Sequence, residues 1–167
     1  GVDRLWTEVE RIAGERRASG AFDARRRQQS LSWLWDTVHA ALLDDFHAVN
    51  DRFKQVVTSW QLREVDGQQV PNEHDDADYD AAVIAQLRDD VNPAIAPIIA
   101  AVGEREARFS RYFERLCAAL SAIEAGDAQM VAHPLRDSYH TVWFEMHEEL
   151  IRLSGRNRAD EAAAGRA

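Results

Sequence analysis

The side chains best suited to hold a metal ion lie in the C-terminal segment, where histidines and glutamates recur at short intervals. His133, His140 and His147 are seven residues apart, and Glu145 and Glu148 lie beside the last of them. Imidazole and carboxylate groups are common ligands of zinc and iron. However, seven residues of helix separate successive histidines by about 10 Å, beyond the reach of one ion's ligands. The spacing therefore favours histidines at the edge of a buried helix face.

A ligand site in this segment stays open as an alternative if a second helix completes it. Such a site would use His140, His147 and Glu148, and the protein would then be a self-contained helical bundle that binds a metal or a small ligand. The Glu-x-x-His spacing of di-iron bundles is absent, because Glu145 and His147 are only two residues apart. We therefore predict no metal ligands.

Three alternating aspartates suggest a different metal, calcium, at the middle of the chain. Asp76, Asp78 and Asp80 alternate as at the start of a calcium-binding loop. Ala81 then replaces the required glycine, and Leu87 replaces the bidentate glutamate. A solvated acidic loop is the better interpretation.

No familiar catalytic motif occurs in the sequence. It contains no GxxxxGK[ST] or GxGxxG phosphate-binding loop and no GxSxG, CxxC or HExxH motif. We therefore expect no catalytic residue, no cofactor and no enzyme activity on this chain alone.

Composition excludes several kinds of partner. The 167 residues carry a net charge of -9, which argues against nucleic acid and anionic membranes as main partners. No apolar run approaches the roughly 20 residues of a membrane span. The single cysteine, Cys117, fits a reducing compartment, so we expect a cytoplasmic protein.

Apolar periodicity predicts an all-α bundle of about five helices, one of which is very long. Between residues 31 and 60 the large apolar side chains recur every three or four positions, which places them along one helix face. We predict a helical hairpin over 1–66, an acidic linker over 67–80, a helical segment over 81–155 and a disordered tail over 156–167. No stretch alternates as a strand does.

The first part of the long helix is the predicted contact surface. Trp33 lies off the apolar face that includes Trp35, and tryptophan is common among interface anchors. The predicted interface residues are Leu31, Trp33, Trp35, Val38, Leu42 and Phe46.

The segment from residue 1 to about residue 60 resembles the C-terminal helix and dimerisation arm of the methylmalonyl-CoA mutase-associated GTPases, the MeaB/ArgK-type metallochaperones of cobalamin mutases. The resemblance rests on GVDRLW at the start and on an R-R-x-Q-x-x-x-W-x-W segment. The matching residues are Gly1 to Trp6, Arg26, Arg27, Gln29, Trp33, Trp35, Leu42, Leu43 and Phe46.

The resemblance implies a homodimer, or docking to an acyl-CoA mutase or GTPase partner. The GTPase domain and its P-loop are absent from this sequence, so the family's GTP hydrolysis carries over to no residue here. The sequence also departs from the family after Phe46, and residues 71–167 match no family that we recognise. The chain opens on Gly1 without a methionine, and the sequence leaves open whether it is a fragment of a larger GTPase or of a fusion protein.

Overall fold

The computed structural model describes the backbone of residues 2–165 and the side chains of residues 4–165. Gly1, part of the family resemblance, and residues 166–167, the end of the predicted tail, lie outside the described residues. The chain divides into two compact units, an N-terminal unit up to Val38 and a C-terminal unit from His39 onward. The division falls inside the long helix, whereas the sequence placed the main boundary in the acidic stretch over 67–80.

The N-terminal unit consists of helix α1, Val2–Ala18, and the first part of helix α2, Ala21–Gln61. Gly20 separates the two helices with a φ of 70°, a left-handed conformation that glycine adopts without a Cβ clash. The 41 residues of α2 confirm the predicted long helix.

The C-terminal unit contains the rest of α2, a short hairpin and five further helices. The two strands are β1, Leu62–Val65, and β2, Gln68–Pro71. The helices are α3 (Ala77–Gln86), α4 (Asn92–Gly103), α5 (Arg111–Glu124), α6 (Tyr139–Leu153) and α7 (Arg158–Ala163). A π-helical turn, Leu87–Val91, joins α3 to α4. Short 3-10 turns lie at Ala107–Ser110 and Ala128–Met130.

The hairpin corrects the prediction that no strand is present and that residue 67 begins a linker. Strand β1 pairs antiparallel with β2 across Asp66 and Gly67, which have φ values of 52° and 78°. An Asp-Gly pair with both residues at positive φ is a preferred two-residue hairpin turn. The strands were not predicted, because each has only four residues and most of these residues are polar.

The acidic stretch is also shorter than predicted, because α3 begins at Ala77. The Asp76 carboxylate accepts a hydrogen bond from the backbone N–H of Tyr79 at 3.0 Å and so caps the helix. Asp78 and Asp80 then lie in the first turn, where negative charge favours the helix dipole. The alternating aspartates are therefore those of a helix start.

The predicted disordered tail contains helix α7, which is capped by Asn157. Glu161 of this helix is buried, with one carboxylate oxygen 3.2 Å from His47 Nε2 and the other 3.4 Å from Arg156. These contacts stabilise the helix. The composition of the segment, which is mostly polar, does not indicate them.

The core of the C-terminal unit is built on the inner face of α2. Phe46, Val49, Phe53, Val56 and Trp60 are all buried there, at the spacing that the sequence indicated. No helix in the described part of the chain has the length and apolar character needed to cross a membrane.

Candidate association surface and ligand cavity

The N-terminal unit has no core of its own among its described side chains. None of the side chains described between residues 4 and 38 is buried. Its large apolar residues are instead exposed to solvent: Leu5 (70%), Trp6 (64%), Val9 (47%), Ile12 (38%), Phe22 (40%), Leu31 (57%), Trp33 (70%) and Leu34 (49%). We call these eight side chains the association surface. Apolar exposure of this density on so short a segment is typical of an interaction site.

The predicted interface residues fall into two groups: four belong to the N-terminal unit and two belong to the C-terminal unit. Leu31 and Trp33 are exposed, and Trp35 and Val38 are half-buried. Beyond them, α2 enters the C-terminal unit. Sequence periodicity could not show this change, because the apolar spacing continues unbroken along the helix.

The last two predicted interface residues belong to the C-terminal unit. Leu42 is half-buried against its core, and Phe46 is fully buried. The ring centroid of Phe46 lies 5.4 Å from that of Trp143 and 4.7 Å from that of His147. Phe46 therefore contributes to a core within the chain, and the association surface rests on the residues before it.

A shallow hollow on the first part of α2 brings together residues of the sequence motif. It is lined by Arg26, Gln29, Ser30, Trp33 and Leu34, which follow one another at helical spacing along one face. An arginine and a glutamine beside an exposed tryptophan can form polar contacts around an apolar anchor, as in many interfaces.

Charge differs sharply between the two units. Residues 1–38 contain seven arginines and six acidic residues, a net charge of +1, which leaves -10 for residues 39–167. Two N-terminal segments can therefore approach each other with little charge repulsion.

The histidines singled out in the sequence lie in different environments. His133 Nδ1 accepts a hydrogen bond from the backbone N–H of Leu135 at 3.1 Å, so in the neutral ring Nε2 carries the proton and cannot bind a metal. Glu145 is paired with Arg115. Within residues 4–165 no group of three or more histidine, cysteine, aspartate or glutamate side chains is placed to hold a metal ion.

The remaining members of the alternative site lie around one cavity. His140 and His147 both line it, and Glu148 is paired with Arg158, which also lines it. The cavity has a volume of about 490 Å³ and is formed by α2, α6 and the start of α7. The other lining residues are Asn50, Phe53, Lys54, Val57, Thr58, Trp143 and Phe144. The two histidines were predicted from the sequence, whereas the α2 residues were not, because no local pattern relates positions so far apart.

His147 is the most perturbed titratable group at this cavity. It is only 5% exposed, and burial lowers its pKa to about 4. This value includes smaller effects of nearby charges: His47, Arg158 and Lys54 also lower the pKa, while Glu161 raises it. The pKa of His140 is also lowered by partial burial. His147 is therefore neutral at pH 7.

Comparisons with known proteins relate a short part of the chain to GTPases. A 44-residue segment is 46% identical to Probable GTPase Rv1496 of Mycobacterium tuberculosis and to Probable GTPase Mb1533 of Mycobacterium bovis. The segment makes up 26% of this chain but only 13% of each relative. No family model matches the chain, and no solved structure shows significant similarity to it.

Proposed function

We propose that the chain is a helical dimerisation module whose N-terminal unit pairs with the same unit of a second copy. The observation that supports this most strongly is the absence of any buried side chain among residues 4–38, together with eight exposed large apolar residues. Helices in proteins gain most of their stability from packing an apolar face against a neighbour. These helices lack such packing within their own unit, so a partner is expected.

The energy available from the association surface is adequate for a dimer. Burying one large apolar side chain contributes about 1.5–3 kcal/mol. Even if ordering and association costs remove most of the gross gain, eight such residues on each copy leave a favourable balance. Pairing would then stabilise the N-terminal helices and link their folding to protein concentration.

Two further observations favour a second copy as the partner. The N-terminal segment is nearly neutral, so self-association brings together no large like charge. The segment also resembles the dimerisation arm of the mutase-associated GTPases, and the match to probable GTPases agrees with that relationship. Docking to an acyl-CoA mutase or to a GTPase is the competing outcome.

Under this proposal the chain works in the cytoplasm by assembly. Any GTP hydrolysis would belong to a P-loop domain, because this sequence contains no phosphate-cradling motif. The chain's own contribution would be to hold two copies together.

The substitution Trp33→Asp tests the surface directly. Trp33 is 70% exposed, so the change removes an apolar anchor from each copy without opening a cavity. We expect the dissociation constant of the dimer to rise by roughly a hundredfold or more, since each copy loses about 1.5–3 kcal/mol. Sedimentation velocity over a concentration series measures this.

Leu135→Asp is the matched control, because Leu135 is 90% exposed and lies outside the association surface. It should leave both the dissociation constant and the helix content, measured by circular dichroism near neutral pH, at the wild-type values. Identical sedimentation of Trp33→Asp and wild type would refute the proposed surface.

A further inference from the structure

We propose that the cavity between α2, α6 and α7 binds a small organic anion that has a flat apolar body and one negative charge, such as an aromatic carboxylate. Its volume of about 490 Å³ lies within the range of small-molecule sites. All of its lining residues belong to the C-terminal unit, so this inference does not depend on dimerisation.

Aromatic rings supply the apolar walls of the cavity. The rings of Phe53 and Trp143 are stacked with centroids 4.3 Å apart, and Phe144 is 47% exposed on the same lining. Flat, rigid rings of this kind favour a flat apolar ligand, which can stack on them in an offset arrangement.

Asn50 supplies a hydrogen-bond donor that the fold leaves unused. The side chain is only 4% exposed, and its Oδ1 accepts a hydrogen bond from Trp143 Nε1 at 2.9 Å. Because the indole nitrogen only donates, this bond fixes which side of the amide is oxygen. The Asn50 NH2 group donates to no residue that the structure describes, which leaves it for a ligand oxygen.

His147 adds a second polar group without a partner. Its Nε2 is buried and makes no hydrogen bond within the described structure. A buried polar atom without a partner is rare and costly, so a hydrogen bond from a ligand or an ordered water to this atom would relieve that cost. In its neutral form the ring adds no charge to the cavity at pH 7.

The charges around the cavity set the charge of the ligand. Lys54 is the only lysine in the chain, and it forms no ion pair with any residue in the described part of the structure. Arg158 is neutralised by Glu148 and lies over Phe144, with Cζ 4.7 Å from the ring centroid. One uncompensated positive charge remains, which matches one carboxylate.

The single lysine also provides a direct test. In protein grown with isotope-labelled lysine, the side-chain methylene next to the amine of Lys54 gives one NMR signal. We expect 2-naphthoate to shift this signal with a dissociation constant below about 1 mM, a value typical of a ligand of this size. The neutral amide 2-naphthamide should bind at least about threefold more weakly, because it lacks the charge.

Three substitutions at two residues of α2 separate the effect of charge at the cavity from that of charge elsewhere. Lys54→Gln should weaken 2-naphthoate binding by about threefold to fivefold, and Lys54→Arg should restore it. Arg52→Gln removes the same charge from a residue that pairs with Asp90 and does not line the cavity, so it should have no effect. Isothermal titration calorimetry measures binding to all three variants.

Three results would overturn the inference. The first is an unshifted Lys54 signal at about 5 mM 2-naphthoate. The second is equal affinity for the acid and the amide. The third is equal weakening by Lys54→Gln and Arg52→Gln.

Discussion

Phe46→Ala lowers the free energy of unfolding of the C-terminal unit by about 3–5 kcal/mol. Phe46 is fully buried, with its ring centroid within 5.4 Å of Trp143 and 4.7 Å of His147. Removing the ring loses its transfer free energy and leaves a cavity that the flanking rings cannot fill without leaving their own contacts. An effect of this size is a large share of the stability of an ordinary domain.

Urea denaturation followed by tryptophan fluorescence measures this loss. The control is Leu135→Ala, at a residue that is 90% exposed, and it should change the free energy of unfolding by less than about 0.5 kcal/mol. If Phe46→Ala behaved like Leu135→Ala while the wild type remained folded, Phe46 would not be a core residue. The prediction from the sequence that Phe46 is an interface residue would then stand.

The second large effect is a loss of stability in mild acid that depends on His147. Its pKa is about 4 in the folded protein and near 6.5 in the unfolded chain, so the unfolded state binds the proton first as the pH falls. Stability is therefore fully present above pH 6.5 and declines as the pH falls towards 4. The total loss from this one group is about 3 kcal/mol, because a tenfold difference in proton affinity between the two states is worth about 1.4 kcal/mol.

Chemical denaturation at a series of pH values tests this expectation. His147→Gln shifts the whole curve, but it should also flatten the slope between pH 4 and 6.5, because glutamine does not titrate. Between pH 7 and 8 the imidazole is neutral in both states, so that interval serves as an internal control. A variant that kept the wild-type slope between pH 4 and 6.5 would show that another group causes the acid sensitivity.

The helical architecture could be predicted because apolar periodicity reports directly on helix faces. The long helix α2 and the buried residues from Phe46 to Trp60 follow from spacing alone. The β1–β2 hairpin was missed, although Asp66 and Gly67 are a strong turn signal. Four-residue polar strands leave no alternation to detect.

The candidate sites were less accessible to sequence reasoning. Leu31 and Phe46 follow the same helical period, yet the first is 57% exposed and the second is fully buried. Phe46 packs against Trp143 and His147 of α6, which lie more than 90 residues away in the sequence. The cavity also depends on residues that are far apart in the sequence. Trp143 donates a hydrogen bond to Asn50, which lies 93 positions earlier in the chain. A single-chain pattern carries no signal for such pairings.

The most direct test of the central claim is the mass of the wild-type chain in solution, measured by multi-angle light scattering at tens of micromolar. The proposed dimer predicts about twice the chain mass of 18.9 kDa, falling towards the monomer value on dilution. The Trp33→Asp variant should give the monomer mass at the same concentration. A wild-type monomer at tens of micromolar would contradict the account, and a complex formed only with added mutase or mutase-associated GTPase would favour docking instead.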